Sequence, residues 1–162
     1  MPYLRGRVLD YGCGSGALAQ HCLPTSYLGI DRSETALNIA QSAFPSHEFA
    51  CEIDPNERFD TVVALAVIEH LKHPVEWLTE MKSHLRDDGS LVLTTPHPLF
   101  RKLHDLGALF GVFSREASEE HETFFDADDL RKAGERAGLV LARYGRFLLG
   151  ANQIAVFRKA SD

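Results

Sequence analysis

Apolar and polar positions alternate along this chain in short blocks, and most blocks have a legible period. Val8-Leu9-Asp10 is an apolar run that breaks off at Gly12-Cys13-Gly14-Ser15-Gly16. Ala17 to Cys22 then has a helix former's composition, so strand, glycine turn and helix are predicted. Tyr27-Leu28-Gly29-Ile30-Asp31 reads as a second strand ending in an acid. Ser33 is placed to cap a helix through about Phe44, with Ala36, Leu37 and Ala40 on one side, and Pro45 stops it. His47 to Ile53 is a candidate third strand.

The second half continues in the same way. Phe59 to Ala66 is apolar and rich in β-branched residues, as suits a strand buried on both faces. Pro74 suits a first helical turn, and Val75, Leu78, Met81 and Leu85 repeat at helical spacing behind it. Asp88-Gly89 turns the chain into a fifth strand, Leu91 to Thr95. Asp126 caps a helix through Arg136, closed by Gly138, and Leu139 to Phe147 and Gln153 to Phe157 read as two final strands. Strands alternating with helices predict an α/β, doubly wound, mostly parallel sheet with helices on both faces. Ligands of such sheets bind beyond the carboxyl ends of the strands, and that is where the glycine turn sits.

A length of 162 residues fits one domain, residues 1 to 162, and 44% hydrophobic with 25% charged residues is an ordinary globular balance. The net charge of −6 argues against a nucleic-acid partner. Arg143, Arg146, Arg158 and Lys159 read as solvated surface. Cys13, Cys22 and Cys51 are odd in number and form no C-x-x-C, so free thiols in a reducing compartment are expected. The first residues lack a signal-peptide core and no apolar run approaches a membrane span. A cytoplasmic protein with no membrane partner is therefore expected.

A glycine turn after a strand lets backbone amides approach a ligand. Gly12, Gly14 and Ala17 also satisfy the relaxed nicotinamide-cofactor pattern, and Asp31 suits a ribose in either case. Asp10 separates the readings, because a carboxylate two residues before the first glycine repels a pyrophosphate. S-adenosylmethionine has no phosphate and brings an ammonium that a carboxylate favours.

These residues carry a resemblance. Val8-Leu9-Asp10-Tyr11-Gly12-Cys13-Gly14-Ser15-Gly16 resembles the first motif of class I S-adenosylmethionine-dependent methyltransferases, and Gly29-Ile30-Asp31-Arg32-Ser33 their second-strand motif. Phe59 to Val63 is similar to their fourth strand, Val67-Ile68-Glu69-His70-Leu71 to a stretch of the ubiquinone-type, small-molecule branch, and Leu85 to Leu91 to the approach to their fifth strand. The likeness is close from residue 8 to about 95 and looser from His121 to Leu139. It implies a seven-stranded Rossmann-like sheet of order 3-2-1-4-5-7-6 with one antiparallel strand. It also implies S-adenosylmethionine held by Asp10, Gly12, Cys13, Gly14 and Gly16, by Asp31 and Arg32, and by Ala64 and Leu65 at the fourth strand end. Ile53 aligns with the family's third-strand acid, which leaves Glu52 or Asp54 to meet the adenine amine. The chain departs from the family in lacking a proline before Gly89 and in having only Met1 to Arg7 before the first strand, where these enzymes usually carry covering helices.

Methyl transfer from a sulfonium rests mostly on positioning and desolvation, and a base is needed only for a protonated nucleophile. His97 follows the fifth strand directly and is the first candidate base; His121 is the second. His70 and His73 form H-x-x-H without a third ligand, so no metal site is assigned. Leu99, Leu103, Leu106 and Phe110 share one helical face within a possible lid at 98–125, whose extra apolar residues fit a pocket wall or a homodimer surface. The expected function is methyl transfer to oxygen or nitrogen of a small molecule. A non-catalytic module that keeps the cofactor fold and a nicotinamide-dependent oxidoreductase are the alternatives.

Overall fold

A computed structural model describes residues 3–98 and 123–160. The possible lid at 98–125 and His121 thus lie almost wholly outside the described residues, which take in only its two ends. Among them one sheet is built from β1 Val8–Tyr11, β2 Tyr27–Ile30, β3 Glu48–Ala50, β4 Phe59–Leu65, β5 Leu85–Pro96, β6 Leu139–Phe147 and β7 Asn152–Lys159. The order is β3-β2-β1-β4-β5-β7-β6. β3, β2, β1, β4 and β5 run parallel, and β7 is antiparallel to both β5 and β6, as the resemblance implied.

Period-two alternation splits the core into two layers. Leu9, Val62 and Ala64 point to the side where α2 (Pro74–His84) and α3 (Ala127–Arg136) pack, with Trp77, Leu78, Met81 and Leu130 buried there. Val8, Tyr27 and Val63 point to the other side, under Leu18, Ala19 and Phe44. That second layer is thinner. Its one long helix, α1 (Glu34–Ala43), is capped by Ser33 as expected, and Ala40 is its only buried residue.

Three expectations are adjusted. The stretch after the glycine turn forms only a 3₁₀ turn, Ala19–His21, with Cys22 N–H donating to Ala19 O. Too little chain lies between Gly16 and Pro24 to nucleate an α-helix. The third strand is shorter than read, because Cys51 to Ile53 leave the ladder. The fifth strand begins at Leu85, and a register irregularity opposite Phe59 to Thr61 absorbs Asp87-Asp88-Gly89 rather than a free turn.

At the carboxyl end of β5 a buried amide holds two chain segments together. Gln153 Nε2 donates to Pro96 O at 3.2 Å and to Phe125 O at 2.6 Å, while Tyr144 O–H donates to Gln153 Oε1 at 2.9 Å. The segment leaving β5 at Pro96 and the segment entering α3 at Phe125 thus share one clasp.

Asp126 accepts from Asp128 N and Asp129 N, and Asp129 Oδ2 accepts from Asp126 N, a complete capping box. Asp126→Ala is expected to lower stability by about 1 kcal/mol. The measurement is a urea titration, where the midpoint should fall at constant slope.

Candidate functional site

The turn after β1 is folded by its glycines and tied to β2. Gly12, Gly14 and Gly16 have φ of +74°, +53° and +80°, a region that glycine enters freely. Gly12 N–H and Cys13 N–H both donate to Ile30 O, at 2.7 and 2.9 Å. Asp31 completes the tie: its Oδ2 accepts from Gly14 N at 2.9 Å and its Oδ1 from Ser33 N at 2.8 Å. One carboxylate therefore orders the glycine turn and the start of α1 together.

A cleft of about 660 Å³ opens beside this junction, at the carboxyl ends of β1, β2 and β4. Of the residues singled out from sequence, Gly12, Asp31, Arg32, Glu52, Ile53 and Leu65 line it. Asp54 does not: its Oδ1 accepts from Asn56 N and Nδ2, closing a local turn. Glu52, rather than Asp54, is thus the third-strand acid that faces the cleft. Ala64 is buried, and neither Asp10 of β1 nor Cys13, Gly14 and Gly16 of the turn line the cleft.

Tyr11, Ala66 and Glu80, which were not singled out from sequence, also line the cleft, as does His70 of the H-x-x-H pair. Tyr11 had a signal, since alternation along β1 puts it with Leu9 on the α2 side, where it meets Trp77 edge-on at 5.4 Å. Glu80 follows Trp77 by three on the same helix face. Ala66 had none: it takes a left-handed φ of +56° as the chain turns out of β4.

Electrostatics differ sharply around the turn. Burial, countered by a hydrogen bond from Tyr27 and reinforced by the nearby Asp31, raises the Asp10 carboxyl to about 6. Burial, with Asp10 and Asp31 nearby, pushes the Cys13 thiol to about 12, so it is not a nucleophile at neutral pH. His97 stands at the end of β5 with its N–H donating to Ala151 O. Burial and Arg146 lower its ring below the usual histidine range against the pull of Asp126. His97 does not line the cleft. Glu69 is buried, accepting from Thr95 Oγ1 at 2.9 Å, and its backbone oxygen accepts from Thr123 N. His73 is exposed beside Glu76.

Comparison with known proteins places this geometry. Residues 3–143 match the family model described as a methyltransferase domain. A ubiquinone biosynthesis O-methyltransferase of Bradyrhizobium diazoefficiens is 36% identical over 99 residues, covering 55% of this chain and 39% of that protein. A protein of the same name from Dinoroseobacter shibae is 29% identical over 154 residues, covering 85% of this chain and 61% of its own length. The chain thus spans less than two thirds of these relatives. The crystal structure of an S-adenosylmethionine-dependent methyltransferase from Clostridium acetobutylicum superposes with a TM-score of 0.77 at 15% identity, over 99% of this chain and 86% of that one, a likeness of fold.

The glycines are not equivalent. A Cβ on Gly12 would lie 2.7 Å from Val67 Cγ2, whereas one on Gly14 meets nothing within 4 Å. Gly14→Ala is expected to cost about 1–2 kcal/mol, for the left-handed backbone alone. Gly12→Ala adds overpacking of about 1–3 kcal/mol. Equal losses in denaturant titrations would show that the two turns share one environment, contrary to the geometry.

Proposed function

The chain belongs to the methyltransferase domain family, and from that premise we propose that it transfers a methyl group from S-adenosylmethionine to a small molecule. The accepting atom is oxygen or nitrogen, and the named relatives, being O-methyltransferases, favour oxygen. The chain is read as one such domain, in keeping with its single sheet. The observation that carries the reading is the Asp31 junction beside the cleft.

The residues present fit the cofactor. Gly14 leaves a gap in the turn that a side chain would fill, and a carboxylate with spare lone pairs stands at the β2 end. When bound, S-adenosylmethionine supplies a methyl group on a sulfonium whose departure leaves a neutral thioether. Asp31 would accept from the ribose hydroxyls. Ile30, Ile53 and Leu71 provide apolar surface for the adenine, and Glu52 an acceptor for its amine. Asp31, Glu52 and Glu80 outnumber Arg32 among the cleft's fully charged residues. A negative cleft holds a cationic donor more strongly than the product that has lost the sulfonium charge, which favours product release.

His97 is proposed as the base for a hydroxyl acceptor, placed beyond β5. Burial and Arg146 shift its ring toward the neutral form, the form in which a base acts.

Calorimetric titration with S-adenosylmethionine, S-adenosylhomocysteine and NAD tests the cofactor reading. Both sulfur ligands should bind and NAD should not; tight NAD binding alone would overturn it. Asp31→Ala is expected to weaken S-adenosylhomocysteine by about 1.5–3 kcal/mol, a charged hydrogen bond's worth. Unchanged affinity would move the ribose elsewhere. His97→Ala should lower turnover of phenolic acceptors by about a hundredfold or more. S-adenosylhomocysteine affinity should be unchanged, and full activity in this variant would remove His97 from the chemistry.

A further inference from the structure

Beneath the glycine turn, on the thin side of the sheet, two buried polar groups meet. Tyr27 O–H donates to Asp10 Oδ2 at 2.7 Å, with 2% and 3% of the two residues exposed. The phenol starts at the first residue of β2, opposite Val8, and must run along the sheet to reach Asp10, which pairs with Gly29. Gly29 makes this route possible, because a Cβ there would lie 2.9 Å from the Tyr27 hydroxyl oxygen. Phe49 and His47 stand edge-on to the Tyr27 ring, at 5.7 and 5.5 Å between centroids, and hold it in that lane.

A buried carboxylate is expensive without a cation. Among the described residues, no lysine, arginine or histidine forms an ion pair with Asp10. The titratable groups that act on it or pack against the pair are Tyr27 itself and Asp31 on the β2 side, Cys13 in the turn, Cys22 after the 3₁₀ turn, and His47 behind the Tyr27 ring. Two carboxylates, Asp10 and Asp31, thus flank a turn of backbone amides, and among the described residues neither forms an ion pair with a lysine, arginine or histidine.

We propose that Tyr27 is a positioning residue for the cofactor: its phenol fixes the Asp10 carboxylate beneath the glycine turn, and the pair holds the ammonium end of S-adenosylmethionine through its negative field. This rests on the cofactor reading above. A direct consequence concerns pH. In the unliganded fold Asp10 is protonated below about 6, because burial raises it. The ammonium favours the anion, so binding below that pH expels a proton. Affinity therefore rises with pH up to about 6 and is level above it. The Tyr27 hydrogen bond pulls the Asp10 value down, so losing it moves the break to higher pH.

The test is calorimetric titration of S-adenosylhomocysteine, which keeps the ammonium, between about pH 5 and about pH 8, on the wild type, Tyr27→Phe and Asp10→Asn. The wild type should lose about tenfold in affinity over the pH unit below the break. Tyr27→Phe should bind several-fold more weakly near pH 6.5 and recover toward pH 8. Asp10→Asn should give a profile without the break. A purely structural Tyr27 would lower melting temperature and leave the profile parallel to wild type, which would overturn the inference. So would a wild-type profile that is flat through the break, or an Asp10→Asn profile that retains it. Should Tyr27→Phe fail to fold, the wild-type and Asp10→Asn profiles decide it. Binding with the wrong profile sinks this inference alone; absence of binding at every pH sinks the cofactor reading with it.

Discussion

The carboxylate of Asp31 accepts from Gly14 on one side and from Ser33 on the other, joining two segments that meet only at the carboxyl edge of the sheet. Parallel strands carry no tight hairpins, so the loops on this edge are held by whatever crosses between them. Here backbone bonds from Gly12 and Cys13 to Ile30 make the first tie, and Asp31 makes the second. Charge-assisted bonds of this kind are short and directional. The turn can therefore keep three left-handed glycines in a defined shape, with Gly12 at the edge of the cleft.

The two layers of the sheet divide the work. The side under α2 and α3 holds the larger apolar cluster and supplies most of the buried area. The side under α1 is thin, and it is there that the chain tolerates a buried acid with a phenol as its hydrogen-bonding neighbour. An anion whose folded titration lies above its unfolded one opposes folding at neutral pH. That cost falls on the layer with less packing to offset it. Such a cost is common where a site needs a charge that the fold does not.

Much of this was legible in the residues. Strand runs, the glycine turn, the acid at the β2 end and both helix caps are local features, governed by period and by backbone chemistry within a few residues. The order of the strands came from the resemblance rather than from periodicity. What escaped was long-range. Glu52 and Asp54 look interchangeable in sequence, and only the bond from Asn56 to Asp54 separates them. Glu80 enters the cleft because α2 packs against β1, where Trp77 meets Tyr11, which no local window reveals. The missing helix after Gly16 reflects a short connection, although its composition is helical.

The Gln153 clasp has a consequence for how such a domain can diversify. Because one buried amide binds the carbonyls of Pro96 and Phe125, the two ends of the segment between them are fixed beside each other at the sheet. The entropy of closing a loop grows only logarithmically with its length, so doubling it costs about 0.6 kcal/mol. Segments of different length and chemistry can thus be grafted at this point without disturbing the strands.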